Sequence, residues 1–237
     1  MSQPRNRRLD PEMLLRAYAG GIFPMAETAD SEDVFWVEPR RRGVLPLDRF
    51  HAPRSLMKAL RQDRFSFTAD RCFADVVSAC AAPAPGRPQT WINGLIHEAC
   101  LALHARGQAH SIEAWTADGQ LAGGLYGVRL GGAFFGESMF TRVTDGSKAA
   151  LAALVVRLRA GGFKLLDTQF ITEHLARFGT QEIDRKAYRS LLAAALPVSA
   201  DWGALDCVAA GRLAEPTTTV PGPLSGHFIA QLLTQTS

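Results

Sequence analysis

Alternating apolar and polar positions predict three consecutive strands in the middle of the chain. Residues 109–115 alternate and precede Asp118-Gly119, a dipeptide typical of tight hairpin turns. Residues 121–130 predict a second strand, Gly131-Gly132 a second turn, and residues 133–140 a third strand. Strands joined by turns this short pair antiparallel.

A helix and a fourth strand are predicted directly after these strands. Residues 147–159 have an amphipathic pattern and precede Gly161-Gly162, which favours the end of a helix. Residues 163–166 are mostly apolar and predict a strand that ends at Asp167. This order favours an α+β fold with a mixed, mainly antiparallel sheet flanked by helices; it recurs in acyltransferases but does not by itself fix a function. Further helices are predicted over residues 9–21, 53–62, 70–82, 93–105, 172–178 and 184–194, a loop over residues 81–88, and irregular chain from about residue 199, including residues 217–219.

Composition places the chain among ordinary globular proteins. It has 237 residues, of which 47% are apolar and 21% charged. The basic N-terminus is followed by no apolar segment typical of a signal peptide, and no run of about 18 apolar residues predicts a membrane span. We therefore expect a cytoplasmic protein. The net charge of +3 permits an anionic partner without requiring one.

Common cofactor and hydrolase motifs are missing from the sequence. It contains no nucleotide-binding P-loop, no G-x-G-x-x-G, no G-x-S-x-G elbow and no H-E-x-x-H. The four cysteines form no C-x-x-C pair and predict reduced, mostly buried thiols, and no histidine cluster has zinc spacing. Residues 142–147 occupy the place of a coenzyme A pyrophosphate loop but lack its second small residue. We therefore expect neither a metal nor a cofactor.

Two polar segments are candidates for chemistry. Glu137 lies inside an apolar strand, where a carboxylate is costly unless it is paired or functional. It either acts in a site, forms an inward salt bridge, or faces water. Asp167 and Gln169 follow the fourth strand, at two-residue spacing that places them on one side of an extended chain. They could orient an amine nucleophile, or Asp167 could cap a helix that begins near Thr172.

Apolar residues beside these segments could form a pocket. Leu125, Phe134, Met139 and Leu166 flank the polar residues and either line a side-chain pocket or belong to the core. Gly123-Gly124 lies within a strand, which indicates either a bulge or a bound ligand.

Aromatic and basic residues could contact nucleic acid. Trp36 and Trp91 lie in or near loops and could stack on a base or be half-buried core residues. Arg54, Lys58 and Arg61 share one helical face, with Arg64 just beyond and Arg40-Arg41-Arg42 upstream. This set is either a phosphate-binding surface or a solvated basic face.

Eight ordered segments between about residue 18 and residue 190 give the sequence a specific resemblance. They are Gly21-Ile22-Phe23-Pro24-Met25, Trp36-Val37-Glu38-Pro39-Arg40, Thr90-Trp91-Ile92, residues 109–115, Gly123-Gly124-Leu125-Tyr126-Gly127, residues 136–140, Ser147-Lys148 and Asp167-Thr168-Gln169. In these segments the chain resembles leucyl/phenylalanyl-tRNA–protein transferases, a bacterial family that marks proteins for degradation by the N-end rule.

The resemblance implies a fold and an activity. It implies a small N-terminal domain over residues 1–62 and an aminoacyltransferase domain similar to GNAT acyltransferases over residues 63–237. The implied reaction moves Leu or Phe, and Met less well, from aminoacyl-tRNA to an N-terminal Arg or Lys of a protein. The aminoacyl ester is already activated, so neither ATP nor a metal is needed, and a monomer is expected.

Site roles are also implied by position. Asp167 and Gln169 match residues at the reacting amine, with Gln169 as its base or orienter, and Glu137 matches an acidic residue near the acceptor. The family's pocket for the donor side chain corresponds to Leu125, Phe134, Met139 and Leu166. The tryptophans that hold the terminal adenosine and aminoacyl end correspond to Trp36 and Trp91. The basic residues along the tRNA path correspond to Arg54, Lys58, Arg61 and Arg64. A pocket of this kind should accept Leu, Phe and Met but reject the β-branched Val and Ile.

The sequence departs from the family pattern at several positions. Phe35 replaces the first of two adjacent tryptophans, Cys100 stands where some members have tyrosine, and Thr141 replaces a usual serine. The chain beyond residue 195 has no clear match. Two other hypotheses are an N-acyltransferase that uses coenzyme A, and a non-catalytic module that binds tRNA or protein N-termini.

Overall fold

The computed structural model describes residues 8–84, 88–211 and 222–235. The predicted loop at residues 81–88 is therefore described only in part, and residues 217–219 lie outside the described residues. In chain order the elements are α1 (Pro11–Ala19), β1 (Phe23–Met25), β2 (Phe35–Val37), β3 (Arg41–Val44), a 3₁₀ helix (Leu47–Arg49), α2 (Arg54–Arg61), β4 (Ser66–Ala69), α3 (Phe73–Ala81), α4 (Gly94–Ala105), β5 (Ala109–Trp115), β6 (Leu121–Leu130), β7 (Ala133–Thr141), α5 (Gly146–Ala160), β8 (Leu165–Gln169), α6 (Glu173–Ala176), β9 (Gln181–Asp184), α7 (Arg185–Ala195), α8 (Ala204–Ala209), β10 (Leu224–Ser225) and α9 (Gly226–Thr234).

One mixed sheet dominates the described part of the chain. Its strands run in the order β10-β4-β5-β6-β7-β8-β3-β9, and β1 and β2 form a separate two-stranded sheet. Neighbouring strands are antiparallel except β7 and β8, which are parallel and connected through α5. The predicted α+β fold with a mixed, mainly antiparallel sheet is confirmed, as are both hairpin turns.

The fourth predicted strand is displaced along the sequence. β8 spans Leu165–Gln169 rather than residues 163–166, because it pairs with β3 as well as with β7. Asp167 therefore lies inside the strand and does not follow it. Thr172, not Asp167, caps the next helix, and that helix ends at Ala176.

Helices cover both faces of the sheet. On one face, α5 packs with α2, α8 and α9 around a first apolar cluster; on the other, α1, α3, α4 and α7 pack around a second. All residues of α5 from Gly146 to Leu158 except Lys148 are buried, so this helix is enclosed over most of its surface. No helix in the three described ranges is long and apolar enough to cross a membrane.

Close packing explains the glycine pair within β6. A Cβ atom at Gly123 would lie 2.7 Å from the carbonyl carbon of Gly146 and 2.7 Å from the nitrogen of Ser147. A Cβ at Gly124 would lie 2.9 Å from the backbone oxygen of Ile112. The start of α5 thus rests directly on β6. The predicted bulge is also present beside Gly123, because Ala114 pairs with Gly123 and Trp115 with Leu121, which leaves Ala122 as the extra residue.

The N-terminal part of the chain contributes to the large sheet. β3 pairs with β8 on one side and with β9 on the other. The predicted domain boundary at residue 62 remains a prediction. β3 precedes this boundary and pairs with β8 and β9, which follow it.

Candidate active site

A cavity lies where the parallel pairing of two central strands ends. β7 and β8 are paired only as far as Phe135 with Asp167. Beyond this point, residues 136–139 of β7 and residues 168–169 of β8 line a cavity of about 300 Å³. The ends of parallel strands next to a change in the sheet are common ligand-binding positions.

A bulge in β7 gives Glu137 its place in this cavity. Gly127 of β6 pairs with Gly136 and Tyr126 pairs with Ser138, so Glu137 is the extra residue. Bulges re-aim a side chain out of the regular alternation of a strand. The Glu137 side chain is buried, and its Oε1 accepts a 2.8 Å hydrogen bond from Nε2 of Gln169. Its Oε2 has no hydrogen-bond partner among the described residues.

Burial changes the acidity of Glu137. Loss of hydration raises its pKa to about 8, and the nearby charge of Asp167 acts in the same direction. The nearby Tyr18 hydroxyl, the charge of Arg42 and the hydrogen bond from Gln169 only partly offset this rise. Glu137 can therefore exchange a proton near neutral pH, as an ordinary glutamate cannot.

Asp167 lies behind the cavity and does not line it. Its side chain is fully buried and accepts hydrogen bonds from Nε and Nη2 of Arg42, the latter at 2.6 Å. The hydroxyl of Tyr188 donates to it at 2.7 Å, and the backbone N–H of Gln169 does so at 2.7 Å. With these donors, Asp167 can hold Gln169 in place but does not reach a substrate in the cavity.

Gln169 connects the buried carboxylate to the cavity. Its φ of 62° lies in the left-handed region, which a non-glycine residue adopts only when surrounding contacts hold it there. Because of this turn, the expected alternation does not apply: Asp167 and Gln169 do not present their side chains to the same space. Gln169 lines the cavity, while Asp167 holds its backbone.

The apolar part of the cavity contains most of the residues predicted for the donor. Leu125, Met139, Leu166 and Trp91 line it, and so do Leu151, Leu154 and Leu175 from helices α5 and α6. Phe134 is placed differently: it is fully buried and stacks on Trp202 with ring centroids 5.5 Å apart. The structure therefore puts Phe134 in the core and not in the lining of the cavity, contrary to the prediction.

The second predicted tryptophan lies on the small sheet. Trp36 is 39% exposed on β2, next to the exposed Phe35, and it is not part of the cavity lining. Phe170, which does line the cavity, is also exposed and packs edge-on against Phe23 of β1. Exposed aromatic rings are therefore found both on β2 and at the cavity.

The predicted basic surface is exposed on α2. Arg54, Lys58 and Arg61 face solvent, while Leu56 and Leu60 of the same helix are buried. Arg64 is also exposed, and its guanidinium lies 4.0 Å from Asp145. Asp145 in turn pairs at 2.7 Å with Lys148. Burial, and then the charges of Lys148 and Arg177, lower the pKa of the cavity residue His174.

Sequence reasoning treated Arg42 as part of an arginine run that could bind phosphate. The structure buries it beside Asp167, while its neighbour Arg41 is exposed and pairs with Glu182. Tyr18 and Tyr126, which surround Glu137, were also not predicted. Burial raises the pKa of both phenols well above the usual value, so they stay neutral.

The cysteines are free thiols, as predicted. Cys80 and Cys100 are buried, whereas Cys72 and Cys207 are partly exposed. Cys100 lies on α4 near Glu137 and Tyr126, and burial raises the pKa of its thiol. It therefore contributes a small neutral group to the wall behind the cavity.

Models of one protein family match most of the chain. A family model described as leucyl/phenylalanyl-tRNA protein transferase matches residues 44–193, and a model of the N-terminal domain of the same family matches residues 7–40. The chain thus carries the family's small N-terminal domain.

Curated relatives match over most of their length. The leucyl/phenylalanyl-tRNA–protein transferase of Rhizorhabdus wittichii is 54% identical over 248 residues, covering 98% of this chain and 100% of that protein. That of Nitrobacter winogradskyi is 58% identical over 197 residues, covering 83% of this chain and 87% of that protein.

A solved structure gives a weaker likeness. The structure of L-PGS from Bacillus licheniformis matches with a TM-score of 0.39 and 13% identity, over 70% of this chain and 55% of that one. This likeness is too distant to confirm the GNAT-like assignment. The family models and the curated relatives, however, name the same family. The chain belongs to the leucyl/phenylalanyl-tRNA protein transferase family.

Proposed function

We propose that this protein transfers Leu or Phe, and Met less well, from aminoacyl-tRNA to an N-terminal Arg or Lys of an acceptor protein. The product is a new peptide bond, and the modified protein enters the N-end rule degradation pathway. The observation that carries the proposal is one cavity that joins an apolar end to a buried Glu137–Gln169 pair, in a chain of this family.

The reaction balances without ATP or a metal. The acceptor amine attacks the ester carbonyl of the donor, a C–N bond forms, and the C–O bond to the tRNA ribose breaks. The amine loses a proton, and the departing ribose oxygen gains one. The chain must therefore place the amine, remove its proton and hold the donor side chain.

Gln169 and Glu137 have the chemistry for the amine. Nε2 of Gln169 donates to Glu137, so the amide oxygen is left to accept an N–H of the attacking amine. Glu137 offers a carboxyl group beside the cationic N-terminus of the acceptor. An α-amino group has a pKa of about 8, close to that of Glu137, so a proton can pass between them at little cost. Asp167 supports Gln169 from behind.

The apolar lining supports the choice of donor. The apolar end of the cavity is lined by uncharged side chains: Leu125, Met139, Leu166 and the leucines of α5 and α6. Such a space favours flexible apolar side chains and disfavours branching at Cβ by shape. Trp36 and Trp91 remain the proposed contacts of the terminal adenosine and aminoacyl end, and Phe134 supports the wall from the core.

Exposed cations extend the site toward the tRNA body. We assign the tRNA path to Arg54, Lys58, Arg61 and Arg64, because Arg64 lies beside the Asp145–Lys148 pair that borders the cavity residue His174. The hairpins β5–β7 and the crossover through α5 to β8 support a GNAT-like domain. We further propose that the protein acts as a monomer.

A transfer assay tests the proposal. The protein is incubated with Leu-tRNA and a peptide that begins with Arg, and the expected product is heavier by one leucine residue. The same peptide with an acetylated N-terminus is the matched control and should stay unmodified. If no product forms while an active relative assayed in parallel gives product, the proposal is wrong. Equal rates with Ile-tRNA and Leu-tRNA would contradict the assignment of the donor pocket.

A further inference from the structure

Arg42 is a buried cation that the proposed chemistry does not yet use. Its side chain is 1% exposed, and three of its nitrogens are hydrogen-bonded: Nε and Nη2 to Asp167, and Nη1 to the backbone oxygen of Gly21 at 2.9 Å. A buried arginine held by this many acceptors is costly to assemble and strongly oriented once formed.

Two aromatic rings enclose the guanidinium. Its central carbon lies 4.6 Å from the ring centre of Phe23 and 4.5 Å from that of Tyr188. Gly21 fits the same arrangement, because it has a φ of 80° and a Cβ there would lie 2.9 Å from the Tyr188 ring. We call Gly21, Phe23, Arg42, Asp167 and Tyr188 the Arg42 cage.

The cage acts on the cavity through Asp167. Arg42 Nη2 and the Tyr188 hydroxyl both donate to Oδ2 of the carboxylate, at 2.6 Å and 2.7 Å, and Arg42 Nε donates to Oδ1 at 2.9 Å. The Oδ1 atom then accepts the backbone N–H of Gln169, which is the residue in the left-handed conformation. Without a fixed carboxylate, that backbone conformation loses the contact that offsets its strain.

We propose that Arg42 and Tyr188 are positioning residues for the transfer reaction. They hold Asp167 so that Gln169 keeps the turn that aims its amide at Glu137. The inference rests on the proposed function, because it assigns Gln169 to the reacting amine. Neither residue lines the cavity, so the expected loss is in kcat and not in the KM for aminoacyl-tRNA.

Conservative substitutions test the cage with little change in volume. Tyr188→Phe removes one hydrogen bond to Asp167 and keeps the ring over Arg42. We expect kcat to fall roughly tenfold or more, the loss typical of a hydrogen bond to a charged group. Arg42→Lys keeps the charge but not the fork of donors, and should lower kcat further.

A second buried arginine provides the matched control. Arg157 is 2% exposed, donates to both carboxylate oxygens of Asp206, and lies 5.1 Å from the ring centre of Trp202. It has the same chemistry outside the cavity. Arg157→Lys should lower the melting temperature to a similar degree as Arg42→Lys, while leaving kcat within about twofold of the original.

Hydrogen exchange provides a readout that does not need activity. The amide of Gln169 should exchange faster in Tyr188→Phe and Arg42→Lys than in the unaltered protein, and at the original rate in Arg157→Lys. Unchanged exchange at Gln169 in both cage variants would overturn the inference, as would an undiminished kcat. An unaltered protein that forms no Leu-peptide would instead defeat the proposed function, and the exchange result would still decide whether the cage positions Gln169.

Discussion

At the scale of single residues, the two buried carboxylates of the site are kept in different ways. Asp167 is held by a guanidinium and a phenol, whereas Glu137 has only neutral hydrogen-bond donors and one oxygen without a partner among the described residues. A carboxylate without a direct cation in a buried place favours its protonated form. Burial therefore raises the pKa of Glu137, and the charge of Arg42, which is paired with Asp167, offsets that rise only in part.

Glu137 should make stability depend on pH. Its pKa is raised from 4.5 to about 8 in the folded protein, so folding favours the protonated form. Its contribution is complete below its unfolded pKa and is lost as pH rises through about 8. Between these limits the free energy of unfolding should fall by about 1.4 kcal/mol per pH unit relative to Glu137→Gln. Urea unfolding of both proteins from pH 5 to pH 9 measures this difference, and a constant difference would contradict the assignment.

Gln169 should be needed for the chemical step. Gln169→Ala removes the amide that faces Glu137, and we expect the rate of Leu transfer to fall by about a hundredfold, in the range of a lost proton-transfer or orienting group. The exposed Gln231 on α9 offers a matched control, since Gln231→Ala removes the same group far along the chain from the cavity. Single-turnover rates with Leu-tRNA give the comparison. A rate within threefold or so of the original for Gln169→Ala would remove Gln169 from the mechanism.

The residue scale also shows where sequence reasoning stops. Glu137 and Gln169 were identified because polar groups in apolar strands are costly and therefore informative. Arg42 was hidden in a run of three arginines, since adjacent cations suggest a surface. The sequence indicates a buried cation only through Asp167, because a carboxylate in an apolar segment requires a positively charged partner. Only the pairing of β3 with β8 shows that this partner is Arg42.

At the scale of elements, local patterns predicted the long strands and missed the short ones. β5, β6 and β7 are long enough for alternation and turn residues to define them. Six strands have four residues or fewer, so their pattern is too short, and they form because a neighbouring strand offers a free edge; they are β1, β2, β3, β4, β9 and β10. For the same reason, β8 begins and ends later in the sequence than predicted, so that Asp167 lies inside the strand.

The contact between α5 and β6 should respond to a single methyl group. Gly123→Ala places a Cβ 2.7 Å from backbone atoms of Gly146 and Ser147, which cannot rotate away, and we expect a loss of about 1–3 kcal/mol in stability. Gly94 at the start of α4 has no atom within 4 Å of its Cβ position, so Gly94→Ala should be neutral or slightly stabilising. Thermal unfolding distinguishes the two. A stable Gly123→Ala protein with a raised KM would instead indicate a ligand at this position.

At the scale of the whole molecule, the site combines residues that are far apart in the sequence and elements on both faces of the sheet. Glu137 and Gln169 come from the centre of the sheet, and α5 and α6 add leucines to the apolar lining. The Arg42 cage comes from the turn after α1 and from β1, β3, β8 and α7. Sequence motifs marked most of these segments but gave no distances between them. The resemblance to a family supplied the grouping, and the sheet order supplied the geometry.

The basic face of α2 should serve the tRNA body and not the chemistry. A triple variant, Arg54→Ala, Lys58→Ala and Arg61→Ala, removes exposed cations while Leu56 and Leu60 keep the helix anchored. Each lost phosphate contact lowers the dependence of log KM on log salt by somewhat less than one, so the slope should fall by about two to three. KM for Leu-tRNA should rise at low salt, whereas transfer from a leucyl-adenosine donor, which has no tRNA body, should keep its rate.

The exposed Lys164 provides the control, because Lys164→Ala removes a cation elsewhere on the surface and should leave the slope unchanged. A triple variant that loses both donors equally would mean that α2 supports the fold of the cavity, and an unchanged salt slope would place the tRNA path on another face.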